Sequence, residues 1–329
     1  MLRRNILVAP LAVAAVATLG RAGKAAAQDA APGGATSGKA VIGVAIPSAT
    51  HGFMGGLNWH AQQTIERLSK VYPDLTFVLS TAGDAGKQVN DIEDMMATRN
   101  IDGLVVLPFE SEPLTGPVKA VKDAGKWVTV VDRGLSEEGI EDLYVAGDNT
   151  AFGRVAGEYF KNNLKPGSKL VVLRGLPTTL DNERVDAFQK ALEGGQVEVL
   201  DMQHGNWNRD DAFKVMQDYL TKYPQIDAVW AADDDMAMGV LEAISAAGRD
   251  GKMVVVGGAG MKDIVKRIMD KDPALPVDVT YPPGLISAAI EMTALHFTST
   301  APVMGRFIIG SQLITPENAA QFYFPDSPF

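Results

Sequence analysis

The chain has 329 residues, a formal charge of −10 at pH 7, 46% hydrophobic residues and no cysteine. Without cysteine there are no disulfides, no thiol chemistry and no Cys-bound metals, so stability must come from buried apolar surface. The acidic balance makes nucleic acid an unsuitable partner, because its phosphates would be repelled, and solubility is the simpler account of it.

At the N-terminus, Arg3 and Arg4 precede an uncharged apolar stretch from Ile6 to Leu19, followed by small residues ending in Ala25-Ala26-Ala27. This order predicts a secretory signal peptide over residues 1–27, cleaved near Ala27. The apolar stretch of 14 residues is shorter than a bilayer requires. A soluble periplasmic chain is therefore expected, with a formal charge of about −14 once Arg3, Arg4, Arg21 and Lys24 are removed. Residues 28–39, rich in Ala, Gly, Ser and Thr, read as a disordered leader.

From Ala40 onward, short runs of β-branched residues alternate with amphipathic segments. Strands are predicted over Val41–Ile46, Thr76–Leu79, Leu104–Leu107, Val128–Val131 and Tyr144–Ala146, with helices over Leu57–Lys70, Lys87–Arg99 and Pro113–Ala124. These apolar runs lack polar alternation, as suits a parallel sheet covered on both faces. A second series follows, with strands at Leu170–Leu173, Val197–Leu200, Ala228–Ala231, Val254–Val256 and Val277–Thr280. Its helices are expected over Phe152–Asn163, Arg184–Leu192, Asp211–Tyr223, Met236–Ala247 and Lys262–Met269. The fold class is α/β, with two doubly wound, Rossmann-like lobes. A further helix, Leu285–Phe297, and a strand-like Phe307–Ile314 return to one lobe or the other. The tail from Pro316 carries Phe322, Tyr323, Phe324 and Phe329, without a functional reading.

Ligands of open α/β sheets sit beyond the carboxyl ends of the strands, so the residues just after each strand are the informative ones. These are His51, Phe53 and Met54 after the first strand and Asp132-Arg133 after the fourth. In the second series they are Arg184, Trp207, Asp233 and Tyr281. Carboxylates accept from adjacent hydroxyls, guanidinium groups donate in a planar fork, and aromatic rings cover the CH face of a sugar. The set suits binding of a polyhydroxylated molecule rather than catalysis. Simpler roles are also open: Asp132-Arg133 as a surface ion pair, Arg184 as a solvated helix residue, and Asp234 and Asp235 as N-terminal helix charges.

The series Val41 to Gly56, Val130-Val131-Asp132-Arg133, Gly147-Asp148-Asn149, Asn182-Glu183-Arg184 and Asp234-Asp235-Met236-Ala237-Met238-Gly239 resembles the ribose-binding branch of periplasmic binding proteins, in order from about Lys39 to Phe297. The resemblance implies two lobes joined by three crossover segments, near Gly147-Asp148, Thr280-Tyr281 and Thr300. The first lobe would then hold residues 40–147 plus 281–300, and the second 148–280 plus 301–329 with the tail. It also implies the site positions given above, with Ala259 where ribose binders have a carboxylate and Met54 where they have an aromatic ring. Ribose, another pentose, a hexose or a linear polyol all stay open as ligands.

The resulting expectation is a monomeric substrate-binding component of an ABC importer, which captures a small sugar or sugar alcohol and docks transiently on an inner-membrane permease. No cofactor and no metal are expected, since the four histidines show no short ligand spacing. An enzyme is disfavoured by the lack of G-x-G-x-x-G after the first strand, of a P-loop and of a G-x-S-x-G elbow. A sugar-responsive repressor would need a helix-turn-helix where the signal peptide lies. A binder of a signalling molecule such as autoinducer-2, or a chemoreceptor-coupled sugar sensor, remains the alternative.

Overall fold

The computed structural model describes residues 39–49, 51–299 and 303–329. The expected signal peptide and leader, apart from Lys39, and the crossing expected near Thr300 lie outside the described residues. The first half runs β1 (Ala40–Pro47), α1 (Gly52–Val71), β2 (Leu75–Ala82), α2 (Ala85–Thr98), β3 (Gly103–Val106), α3 (Ser111–Asp123), β4 (Trp127–Val131) and β5 (Leu143–Gly147). The second runs α4 (Asn149–Asn163), β6 (Lys169–Arg174), α5 (Thr179–Leu192), β7 (Glu198–His204), α6 (Arg209–Lys222), β8 (Ala228–Ala231), α7 (Asp234–Ala246), β9 (Val254–Val256), α8 (Lys262–Met269) and β10 (Asp278–Val279). α9 (Leu285–Thr298), β11 (Gly305–Ile309), β12 (Leu313–Ile314) and a short 3-10 turn (Ala319–Gln321) complete it.

The first sheet has the order β11-β5-β4-β3-β1-β2, with every pairing parallel. Parallel strands need cover on both faces, and the side-chain alternation supplies it. Ile42, Val44 and Ile46 of β1 pack with Leu57 and Ala61 of α1 and Phe297 of α9. Ala45, Leu104 and Val106 point the other way, into a cluster with Ile92 and Met95 of α2 and Leu114 and Val118 of α3. The second sheet, β7-β6-β8-β9, is also parallel. At its centre Trp230 of β8 stacks on Phe188 of α5, with ring centroids 3.9 Å apart.

Side-chain caps fix the starts of α2, α4, α5, α6 and α7, each earlier than periodicity alone suggested. The Thr178 hydroxyl accepts from the Asp181 amide, so α5 begins at Thr179 and Arg184 lies a full turn inside it. α1 also begins earlier, at Gly52, though without a side-chain cap, which puts Phe53 and Met54 in its first turn instead of a loop.

Two expectations about the end of the chain are corrected. The strand-like Phe307–Ile314 is two strands: β11 pairs with β5 at the edge of the first sheet, while β12 pairs antiparallel with β10. Gly305–Ile309 therefore belongs with the first lobe, because the outer edge of β5 needs a hydrogen-bonding partner there. The chain recrosses after Ile309, where the Asp148 amide donates to the Ile309 carbonyl and the Thr280 amide to the Gln312 carbonyl, both at 2.9 Å. The three crossing segments thus lie side by side.

The expected fifth strand of the second sheet, Val277–Thr280, is reduced to Asp278–Val279 and meets that sheet through one parallel bridge, Ala259 to Thr280. The reason lies in Gly257-Gly258-Ala259-Gly260. Its amides turn inward to a side chain: Asp234 accepts from the backbone N–H of Gly258 (2.8 Å), Gly260 (3.0 Å) and Met261 (2.7 Å). A buried carboxylate takes the place of a strand ladder.

Candidate functional site

The strands of both sheets end facing one another across a cleft, and the residues after them line one cavity. It is walled by His51, Phe53 and Met54, by Asp132 and Arg133, and by Arg184, Trp207, Asp233 and Tyr281. The free space between these side chains is about 40 Å³. The cavity adjoins a wider cleft of about 1000 Å³, bordered by Glu110 and Glu112 and by Pro177 to Leu180.

Each polar wall residue is held by the fold while keeping hydrogen-bonding capacity. Asp132 sits in the left-handed region (φ 58°) just after β4, a conformation that Asp tolerates better than most residues. Its amide donates to the Val145 carbonyl and its own carbonyl accepts from the Tyr144 hydroxyl, so the turn is anchored on β5. Its Oδ1 accepts from the Tyr281 hydroxyl at 2.5 Å, while Oδ2 makes no hydrogen bond among the described residues. Arg133 donates through Nη1 to the Phe109 carbonyl.

Arg184 is buried, contrary to the solvated alternative. Its Nε donates to Asn149 Oδ1 (2.9 Å) and its Nη1 to the Ala232 carbonyl (3.0 Å). The guanidinium lies 4.2 Å from the ring centroid of Phe152 and 4.4 Å from that of Tyr281, a cation packed into the corner made by two perpendicular rings. α5 can bring it there because α4 is glycine at the contact: a Cβ on Gly153 would overlap the Arg184 carbonyl oxygen. Tyr281 fits its crossing for a similar reason, since a Cβ on Gly147 would overlap its ring.

Asp233 caps α7 by accepting from the Met236 amide through Oδ1 (2.8 Å), which leaves Oδ2 for the cavity. Burial first, and repulsion by Asp235 second, push its carboxyl up to about 7, against the pull of the Met236 amide and Arg184. His51 is brought down to about 4 by burial and then by the charge of Arg133, so its ring is neutral, with one nitrogen donating and one accepting. Its Nδ1 is buried with no hydrogen-bond partner. Burial and the neighbouring Asp132 raise Tyr281, which keeps its hydroxyl a donor.

Backbone strain gathers in the same walls. Trp207 (φ 53°) follows Asn206 (φ 58°), and Ala259 has φ 115°. Such conformations cost energy in non-glycine residues and concentrate at functional sites. The indole edge of Trp207 lies over Gly175, where a side chain would collide with it.

Two wall residues went beyond the expected set. Leu180 lies in the first turn of α5 and would have been found by reading Thr178 as the helix cap. Ala259, noted only as a departure from the ribose-binding pattern, lines the cavity as well. Asn149, which orients Arg184 from behind, stood out only within the Gly147-Asp148-Asn149 resemblance and not as a site residue, because its role depends on the meeting of α4 and α5. His204, at the end of β7, hydrogen-bonds the Gly175 carbonyl outside the cavity wall.

His51, Asp233 and Asp235 bring three donor atoms within 4.8 Å of one another, a grouping that chain spacing did not foreshadow. Positive charge already faces it from Arg133, beside His51, and from Arg209, 3.8 Å from Asp235.

A family model described as "Periplasmic binding protein domain" matches residues 42–299. The ribose import binding protein of Bacillus subtilis (strain 168) is 30% identical over 246 residues, covering 74% of this chain and 77% of that protein. The myo-inositol binding protein of Caulobacter, solved with myo-inositol, superposes with a TM-score of 0.76 at 26% identity, covering 85% of this chain and 95% of that one. A solute binding protein of an ABC transporter from Bacillus halodurans C-125, also with bound myo-inositol, gives a TM-score of 0.77 at 23% identity, covering 87% and 98%.

Proposed function

This chain belongs to the periplasmic binding protein family, and from that premise we propose that it is the substrate-binding component of an ABC importer for a small sugar or polyol. One observation carries the choice of ligand class. Residues after the strands of both lobes line a single cavity and retain unspent capacity: Oδ2 of Asp132 and of Asp233, Nδ1 of His51, and the remaining N–H groups of Arg133 and Arg184. Mixed donors and acceptors beside the rings of Phe53 and Trp207 match vicinal hydroxyls on a carbon frame with an apolar face. An ionic ligand of one sign would leave either the carboxylates or the guanidinium groups unpaired.

The ligand, held by one lobe, would favour closure by contacting the other, and the closed form would dock as a monomer on an inner-membrane permease. Export through the N-terminal signal would place the mature chain in the periplasm. The relatives named for ribose and myo-inositol support a polyol without choosing among them.

The test is thermal denaturation of protein refolded without ligand, against D-ribose, D-allose, D-xylose, myo-inositol and glycerol. A ligand present at about 100 times its Kd adds roughly 2.7 kcal/mol to stability. A saturable rise in Tm with one of them, lost in Asp132→Ala, is the expected result. No shift with any would reject the sugar and polyol class.

A further inference from the structure

The aromatic tail had no role in the sequence reading, yet it ends against the wall of the cleft. It is fastened to the second lobe: β12 pairs with β10, the turn Ala319–Gln321 packs on α8, and Lys262 of α8 donates to the Ser327 carbonyl at 2.6 Å. From there the chain passes to the first lobe, where Phe329 is only 4% exposed and does not line the cavity. Its ring meets Phe53 edge to face, with centroids 5.9 Å apart and planes at 89°. Phe53 is a wall residue, and its ring also neighbours that of Tyr281, with centroids 6.0 Å apart.

The seat for Phe329 is written into α1. A Cβ on Gly56 would lie 2.6 Å from Phe329 Cβ and 3.0 Å from Pro283 Cγ. Glycine inside a helix is unfavourable in itself, and here its bareness makes the notch that receives the tail.

We propose that Phe329 is a positioning residue for the ligand wall: it fixes the ring of Phe53 from behind and, through the tail, ties the first turns of α1 to the second lobe. The claim about ligand affinity rests on reading the cleft as a polyol site; the claim about α1 does not. Removing the ring leaves Phe53 unsupported on one edge and releases α1 from α8. The N-terminal turns of α1 then open more often, and the wall contributed by Phe53 and Met54 is less well ordered when a ligand arrives.

Hydrogen exchange of the full chain without ligand tests this directly. In Phe329→Ala, amides of residues 52–57 should exchange several-fold faster, up to about tenfold, as expected for loss of an aromatic pair. Exchange in α2 and α3 should be unchanged. Phe324→Ala, which removes an exposed ring of the same tail, should match the parent. Gly56→Ala should displace Phe329 and reproduce the faster exchange with the tail intact, and Phe329→Leu should restore part of the protection. Unchanged exchange at residues 52–57 in Phe329→Ala, or an equal rise in Phe324→Ala, would overturn the proposal. For D-ribose, D-allose or myo-inositol, whichever the parent binds, Kd should rise in Phe329→Ala and the effect should be non-additive with Phe53→Leu. If none binds, the function proposed above fails while the exchange result still decides the role of Phe329.

Discussion

The Tyr281 hydroxyl, carried on the second crossing segment, donates to Oδ1 of Asp132 in the first lobe at 2.5 Å, and both residues are buried in the cavity wall. The bond therefore joins that crossing segment to the carboxylate that would meet the ligand. Tyr281→Phe keeps the ring over Arg184 but leaves a buried carboxylate oxygen without its donor. Hydrogen bonds to charged groups are worth about 1.5–3 kcal/mol, so urea denaturation should show a loss in that range and calorimetry a Kd about tenfold weaker.

Arg184 should not tolerate lysine. Its planar group makes two directed hydrogen bonds and packs against both the Phe152 and Tyr281 rings, a geometry an ammonium cannot reproduce. Arg184→Lys should retain the charge yet lose at least about 2 kcal/mol of ligand affinity, measured by isothermal titration.

Asp233 predicts opposite pH trends for binding and for stability. Its carboxyl, pushed up to about 7 by burial and by Asp235, is ionised at pH 8 and protonated at pH 5. If the ionised form accepts ligand hydroxyls, affinity should hold above pH 7 and weaken below it, and Asp233→Asn should flatten the profile. In the ligand-free protein the folded state keeps this proton between the unfolded value near 4 and about 7. The stabilisation is then complete below about pH 4 and is lost as pH rises through about 7. Asp278, also raised to about 7 by burial, acts in the same direction. Urea midpoints at pH 5 and pH 8, measured on parent and Asp233→Asn, check the sign.

Gly153→Ala places a methyl group where the Arg184 carbonyl oxygen now lies. Backbone must move to relieve it, so α5 should be pushed off α4 and Arg184 drawn from its seat. Overpacking of this kind costs about 1–3 kcal/mol. A fall in Tm accompanied by weaker binding is expected; a fall in Tm alone would mean that α5 shifts without moving Arg184.

Ala259→Gly should act the other way. At φ 115° alanine is strained and glycine is not, so the substitution should stabilise the protein by about 1 kcal/mol, read as a higher urea midpoint.

The alternation of strands and helices was legible in the sequence, because a strand buried on both faces must be a continuous apolar run and a covering helix must carry a stripe. Val128–Val131 and Ala228–Ala231 were recognisable on that ground alone. So were the candidate wall residues, since chain order places Asp132, Asp233 and Tyr281 just past strand ends. Their common cavity was not legible, nor was the notch at Gly56 for Phe329, nor the burial of Arg184 against two rings. β11 was given to the wrong lobe because a five-residue strand carries no mark of which sheet edge it will complete. Periodicity is a property of neighbours along the chain, so the sequence alone determines it. Which side chains share a cavity, and which hydrogen-bonding groups stay unspent there, depends on contacts between residues as distant as Asp132 and Tyr281, and only the packed tertiary structure decides those.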